Sequence, residues 1–251
     1  MITHISFSSI LLFLHNKSAW RAKYLLGIRD QQTNPAALTG SAFHKYMELR
    51  LKGHPKELAE NEAQNLVRTV EDVDWGKTGS MEGCLKDLDK LIATVDKEWV
   101  WNKNTLAVEL GIMERIKGFK VPLNAYIDYL YEENGEVVIV DWKTVRSYAD
   151  ELKPVHIFQG VYYYLAVLAA FGRKPVRFDI VQIKASQNKD GSPQMKTLSL
   201  DYKKHPEYLK AVRKITKDAL KEMFKKTTTY LPNLRDEYEG EKEWKRYIEQ
   251  L

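Results

Sequence analysis

The stretch that most narrows what this chain can fold into runs from Val121 to Thr144, VPLNAYIDYLYEENGEVVIVDWKT. Leu123 to Tyr131 is rich in aromatic and branched residues, and Val137 to Lys143 opens with a Val/Ile run suited to a buried strand. Asn134-Gly135 between them is the pair favoured in two-residue type I′ turns, where both positions need positive φ. Counting outward from that turn sets Glu133 opposite Glu136, Tyr131 opposite Val138, Leu130 opposite Ile139 and Asp128 opposite Asp141.

The last pair carries the chemistry. Residues directly opposed on antiparallel strands have Cβ atoms ~5 Å apart and point to one face. Two carboxylates there repel, and aspartate is a poor strand former. A divalent cation between them would reverse the sign of the interaction. Lys143, two residues after Asp141, projects from the same face. A solvated strand end would tolerate the same charges, but the preceding Val-Val-Ile-Val argues for burial.

Asp128 followed by Asp141-Trp142-Lys143 resembles the signature of the PD-(D/E)XK nuclease superfamily, and two flanking motifs point to its RecB-like exonuclease branch. Gly40-Ser41-Ala42-Phe43-His44 resembles the G-x-x-x-H motif of an early helix, whose histidine helps to bind the catalytic metal. Gln159 and Tyr163, four apart on one helix face, resemble the Q-x-x-x-Y motif that follows the catalytic lysine. The resemblance implies Asp128, Asp141 and Lys143 as catalytic residues. It implies His44, Asp128, Asp141 and the Trp142 backbone carbonyl as ligands of Mg²⁺ or Mn²⁺, and Gln159 and Tyr163 as substrate-binding residues. The motifs stand in the family order and span the middle of the chain. Relatives of similar size include CRISPR-adaptation and phage exonucleases, and many of the CRISPR-associated ones hold an iron–sulfur cluster on four cysteines. Cys84 is the one cysteine here, so no such cluster is expected and packing must hold the chain ends.

The rest of the chain fits an α/β domain: a central mixed β-sheet flanked by helices, with a helical N-terminal part. One nuclease domain over residues 1–251 is expected, mainly helical over 1–103, with the catalytic sheet over 104–200 and C-terminal helices over 201–251. Ser8 to Gly27 reads as one helix with Ser8 or Ser9 as N-cap, and Ala36 to Leu51 as a second. Pro55 to Trp101 reads as two helices broken around Asp74 to Ser80 (DWGKTGS). The Gly-Lys-Thr there lacks the first glycine of a phosphate-binding loop, since Glu71 stands five residues before Gly76, and no strand precedes it. These helices would cap the active-site face or shape a substrate channel. Asn104 to Arg115 reads as a strand. Its Glu109 is either an outer contact of the metal site or a plain strand residue. A helix from Pro154 to before Gly172, strands at Val176 to Ala185 and Met195 to Leu200, a basic helix over Pro206 to Lys226 and a short terminal helix with Trp244 and Tyr247 complete the chain.

Lysine plus arginine number 39 against 34 acids, a net charge of +5 that permits a polyanionic partner without requiring one. A single cysteine excludes an intramolecular disulfide. The apolar run Ile10 to Leu14 is short and has no basic segment before it, so it reads as neither a signal peptide nor a membrane span. A soluble, cytoplasmic protein without membrane contact is expected. Its partner would be DNA, single-stranded or presenting an end, in recombination, repair or phage DNA metabolism. The rival is a DNA-binding module of the same fold that has lost catalysis; a missing acid or lysine would mark it, and all three are present.

Overall fold

The computed structural model describes residues 2–28, 32–101, 103–189, 192, 194–226, 228–233, 235, 236 and 245. The sheet is mixed and open. Strands β1 (Ile5–Ser6), β2 (Asn104–Glu114), β3 (Leu123–Glu133), β4 (Glu136–Thr144), β5 (Pro175–Ile183) and β6 (Met195–Asp201) form it. β3 takes β2 along one edge; its other edge takes β4 near the turn and β1 near the start of the strand. β4 and β5 are parallel and joined by α6 (Pro154–Phe171), and β6 closes the far edge antiparallel to β5.

Helices cover both faces. α1 (Phe7–His15), α2 (Lys17–Tyr24), α6 and α7 (Pro206–Met223) pack on one core with Ile127, Leu130, Ile139 and Phe178 from the sheet. α3 (Pro35–Leu51), α4 (Lys56–Thr69) and α5 (Met81–Glu98) pack on the other with Tyr129, Tyr131, Val138, Val140 and Trp142. β4 is buried on both faces, which is why its sequence is a continuous apolar run rather than an alternation. α6 is long and apolar enough in composition to cross a membrane, but ten of its residues are buried in this protein's core.

The expected single helix over Ser8 to Gly27 is two. Asn16 ends α1, its N–H donating to Leu12 O, and starts α2, its Oδ1 accepting from Ala19 N–H. The cap of α1 is Ser6, not Ser8 or Ser9. Asn16 is buried, and its Nδ2 donates to Asp236 Oδ2 at 3.0 Å. With Asn233 Nδ2 donating to His15 O and Tyr230 stacked on Trp20, this pins the C-terminal segment onto the first helices. Trp244 and Tyr247 lie outside the described residues.

Candidate active site

The hairpin forms in the expected register. Tyr129 to Glu133 pair with Val140 to Glu136, and Asn134 and Gly135 both take positive φ in the turn. The ladder then stops. Asp128 and Asp141, expected as its next rung, lie just past the last one. β3 and β4 part there, and β1 occupies the edge of β3 that β4 has left, at Leu123 and Asn124. Across the gap the Trp142 N–H donates to Asp128 Oδ2 at 2.8 Å. A side-chain carboxylate thus takes the place of the backbone carbonyl that a continued ladder would have offered.

On the opposite edge of β3 the chain is irregular at the same level. Glu109 of β2 stands between the pairs Val108–Tyr129 and Leu110–Ile127, and its φ is +49°. A non-glycine residue in that region costs of order 1–3 kcal/mol and persists only where surrounding contacts impose it. Both strands exchange faces here. Ala125 and Ile127 enter one core and Tyr129 and Tyr131 the other; Leu110 packs on the first core and Val108 on the second. The kink re-aims Glu109 towards the split.

Two helices bring the remaining groups. On α3, Gly40 lies against β4 so closely that a Cβ there would stand 3.3 Å from Thr144 Oγ1. One turn further on, His44 Nε2 is 3.1 Å from Trp142 O, and its Nδ1 is 3.6 Å from Asp128 Oδ2 and 3.9 Å from Glu109 Oε1. A carbonyl can only accept, so Nε2 carries a proton, and Nδ1 faces the two carboxylates. On α6, Gln159 Nε2 donates to Asp141 Oδ1 at 2.7 Å and to the Tyr163 hydroxyl at 3.0 Å. Asp141 Oδ2 takes no directed hydrogen bond; it is held at 2.6 Å from Lys143 Nζ as an ion pair.

The electrostatics follow from this crowding. Burial, then the charge of Asp141, push the Asp128 carboxyl up to about 7, while His44, the Trp142 N–H and Lys143 pull it back. Burial lowers the basicity of His44, but Glu109, Asp128 and Asp141 together leave it above the usual imidazole value. The rise at His44, and the share of the Asp128 shift that Asp141 adds to burial, record an excess of negative charge that a cation would neutralise. The ligand atoms of His44, Glu109 and Asp128 all lie within 4.8 Å of one another, so the donor set fits one hard divalent ion. His44, Glu109, Trp142 and Lys143 line a cavity of about 510 Å³ open to solvent, with the two aspartates behind them.

The model of the PD-(D/E)XK nuclease superfamily matches residues 4–234. The chain belongs to that superfamily. Nucleases of this superfamily use divalent metals, and the His44–Glu109–Asp128 group offers them a carboxylate and imidazole site. Among solved structures, a candidate exonuclease from Eubacterium rectale is similar at 16% identity and a TM-score of 0.57, over 86% of this chain and 77% of its own. An alkaline exonuclease from Laribacter hongkongensis, LHK-Exo, is matched at 12% identity and a TM-score of 0.35, over 74% and 93%. The first of these shows a shared fold. No curated protein matches the sequence.

In this nuclease the structure brings together every side chain singled out from the sequence. Asp128, Asp141, Lys143 and His44 meet at the split, with Gln159 and Tyr163 directly behind Asp141. Two placements differ in emphasis from the expectation. The Trp142 carbonyl, expected as a ligand, faces the His44 imidazole. Gln159 and Tyr163, expected on the substrate, are buried and stand outside the residues lining the cavity. Glu109 is the residue the motifs alone leave undecided. Its one sequence signal is that it is a glutamate in the strand before the aspartate expected to bind metal.

Proposed function

We propose that this nuclease is a divalent-metal-dependent deoxyribonuclease that hydrolyses phosphodiester bonds. On this reading it is an exonuclease on single-stranded DNA or DNA ends, working in recombination, repair or phage DNA metabolism. One observation carries the reading: two aspartates, a lysine, a histidine and a glutamate converge where the sheet parts, beside an open cavity. His44 through Nδ1, Glu109 and Asp128 would hold the cation, with Asp141 completing the set. Bound there, Mg²⁺ or Mn²⁺ supplies charge against the scissile phosphate and acidity to a water.

The residues of the chain do the rest. The Trp142 carbonyl fixes the His44 ring by accepting from Nε2, so that Nδ1 stays turned towards the carboxylates. Gln159 fixes the Asp141 carboxylate in one orientation, and Tyr163 holds the Gln159 amide. Lys143, ion-paired to Asp141 and half-exposed at the cavity, brings a positive charge to the attacking water or to the oxygens of the phosphate. The test is cleavage of end-labelled single- and double-stranded DNA with Mg²⁺, Mn²⁺ or chelator, for wild type and Lys143→Ala. Metal-dependent cutting that falls by roughly 10²–10³ in the variant is expected, and the ladder gives polarity. A wild type that binds both DNAs and cuts neither with any metal would make the chain a binding module instead.

A further inference from the structure

The catalytic cavity is the first of three in a row. Ala36 and Thr144 are shared with a second cavity of about 700 Å³, which lies between the start of α3 and the segment 74–80. Lys90, Ala185 and Ser186 are shared between the second and a third of about 470 Å³, beside α5. The row passes the carboxyl ends of β4 and β5, since Thr144 and Val145 close one strand and Ala185 and Ser186 follow the other. Parallel α/β sheets commonly bind their ligands outside those ends.

The charges along this groove are unequal in a specific way. Each of its acids has a partner, though only one is neutralised: Asp87 is ion-paired with Lys90 at 3.5 Å. Asp74 Oδ1 accepts from the Gly76 N–H and Glu98 from the Gln194 and Met195 N–H groups, and both keep their charge, so that lysines and arginine outnumber acids along the lining by one. Its cations Lys77, Arg146 and Lys97 are exposed and pair with no described carboxylate. Trp75 lines the same wall. That wall is braced: Thr33 N–H donates to Asp72 O, Asp74 N–H donates to Thr33 O, and the Cys84 thiol meets Pro35 O. These bonds hold the wall against the start of α3.

We infer that this groove is the track of a single nucleic-acid strand that continues beyond the catalytic cavity, with Lys77, Arg146 and Lys97 meeting successive phosphates. The inference rests on the nuclease reading for the kind of polymer it names. A braced groove of limited volume with free cations and one aromatic wall residue is what a flexible backbone with unstacked bases requires. A rigid duplex could engage only its rim.

The inference is tested by binding, apart from catalysis. Fluorescence anisotropy of a labelled 12-mer of thymidylate, with chelator present, compares wild type with K77A/R146A/K97A across salt concentrations. The variant should bind at least tenfold more weakly near 0.1 M salt. Its log–log salt slope should be shallower by about 2, as expected when three single-strand phosphate contacts are lost. A 3-mer, too short to leave the catalytic cavity, should bind both proteins alike. These side chains are exposed, so an unchanged melting temperature will show that the fold is kept. Equal affinity and slope for the two proteins, or no binding of the 12-mer by wild type, would overturn the track. So would a blunt duplex that binds wild type more tightly than the 12-mer and loses as much in the variant. Loss of 12-mer binding in the variant, with no cleavage by wild type under any metal, sinks the nuclease reading and keeps the track.

Discussion

The two halves of β3 behave differently. From Tyr129 to Glu132 the strand is paired on both edges, and Tyr129, Leu130 and Tyr131 enter the cores on either face. From Leu123 to Asp128 the pairing with β4 is gone, β1 supplies two residues in its place, and Asp128 reaches across to Trp142 with its side chain. The paired half is where the hairpin gains its stability. The parted half is where charge can be gathered, because a strand edge without a full ladder has backbone groups that polar side chains can satisfy. The candidate site occupies the place where regular structure gives out.

The comparison breaks if residues of the paired half prove dispensable. Ile139 of β4, fully buried opposite Leu130 of that half, should cost about 2–5 kcal/mol when cut back to alanine. Urea unfolding should show this as a lower midpoint with little change in slope. A loss under about 1 kcal/mol would mean that the ladder itself, not its packing, holds the hairpin.

The second prediction concerns how the parted half is supported. Gln159→Ala removes the 2.7 Å bond to Asp141. Losing an outer partner of a metal-binding carboxylate typically weakens metal affinity 10–100-fold. Mn²⁺ titration by calorimetry should show a loss in that range, with the KM for DNA little changed. Read from the sequence alone, this glutamine belongs to the substrate, and the same variant should then spare the metal and raise KM. Unchanged Mn²⁺ affinity would restore that assignment.

Much of this was legible beforehand because local rules agree with one another along the hairpin. Asn134-Gly135 fixes the turn, the turn fixes the register, and the register carries Asp128, Asp141 and Lys143 to one place. His44 was legible through its spacing from Gly40, whose missing side chain lets α3 close on Thr144. Two features were not, and each depends on something remote. Glu109 faces the site where β2 takes a positive φ and exchanges faces, and strict two-residue alternation cannot foresee such a kink. Asn16 divides the first helix because a buried asparagine there caps one helix, ends another and bonds Asp236, 220 residues away. Helical periodicity on either side of it shows no break. Side-chain function at Gln159 is a third, milder case: the motif locates the residue, and the packing of α6 decides what it touches.

The smallest predicted effect is also the most diagnostic of the parted half. Asp128 is nearly buried, stands beside Asp141, and has its carboxyl pushed up to about 7 by burial and by that neighbour. In the metal-free protein near pH 8 its charge therefore opposes folding. Asp128→Asn removes the charge and keeps an oxygen able to accept from the Trp142 N–H, so the metal-free variant should be as stable as wild type or more stable, by about 1 kcal/mol. That figure is well below the full pKa shift at 1.36 kcal/mol per unit, because His44 loses a carboxylate partner at the same time. Millimolar Mn²⁺ should raise the melting temperature of wild type, which binds it only when folded, and leave the variant nearly unmoved. Thermal unfolding of both proteins, with chelator and with Mn²⁺, reads all four cases. A metal-free variant less stable than wild type by 2 kcal/mol or more would mean that Asp128 serves the fold as the β3–β4 clasp first and the metal second. The parted half would then be built like the paired one.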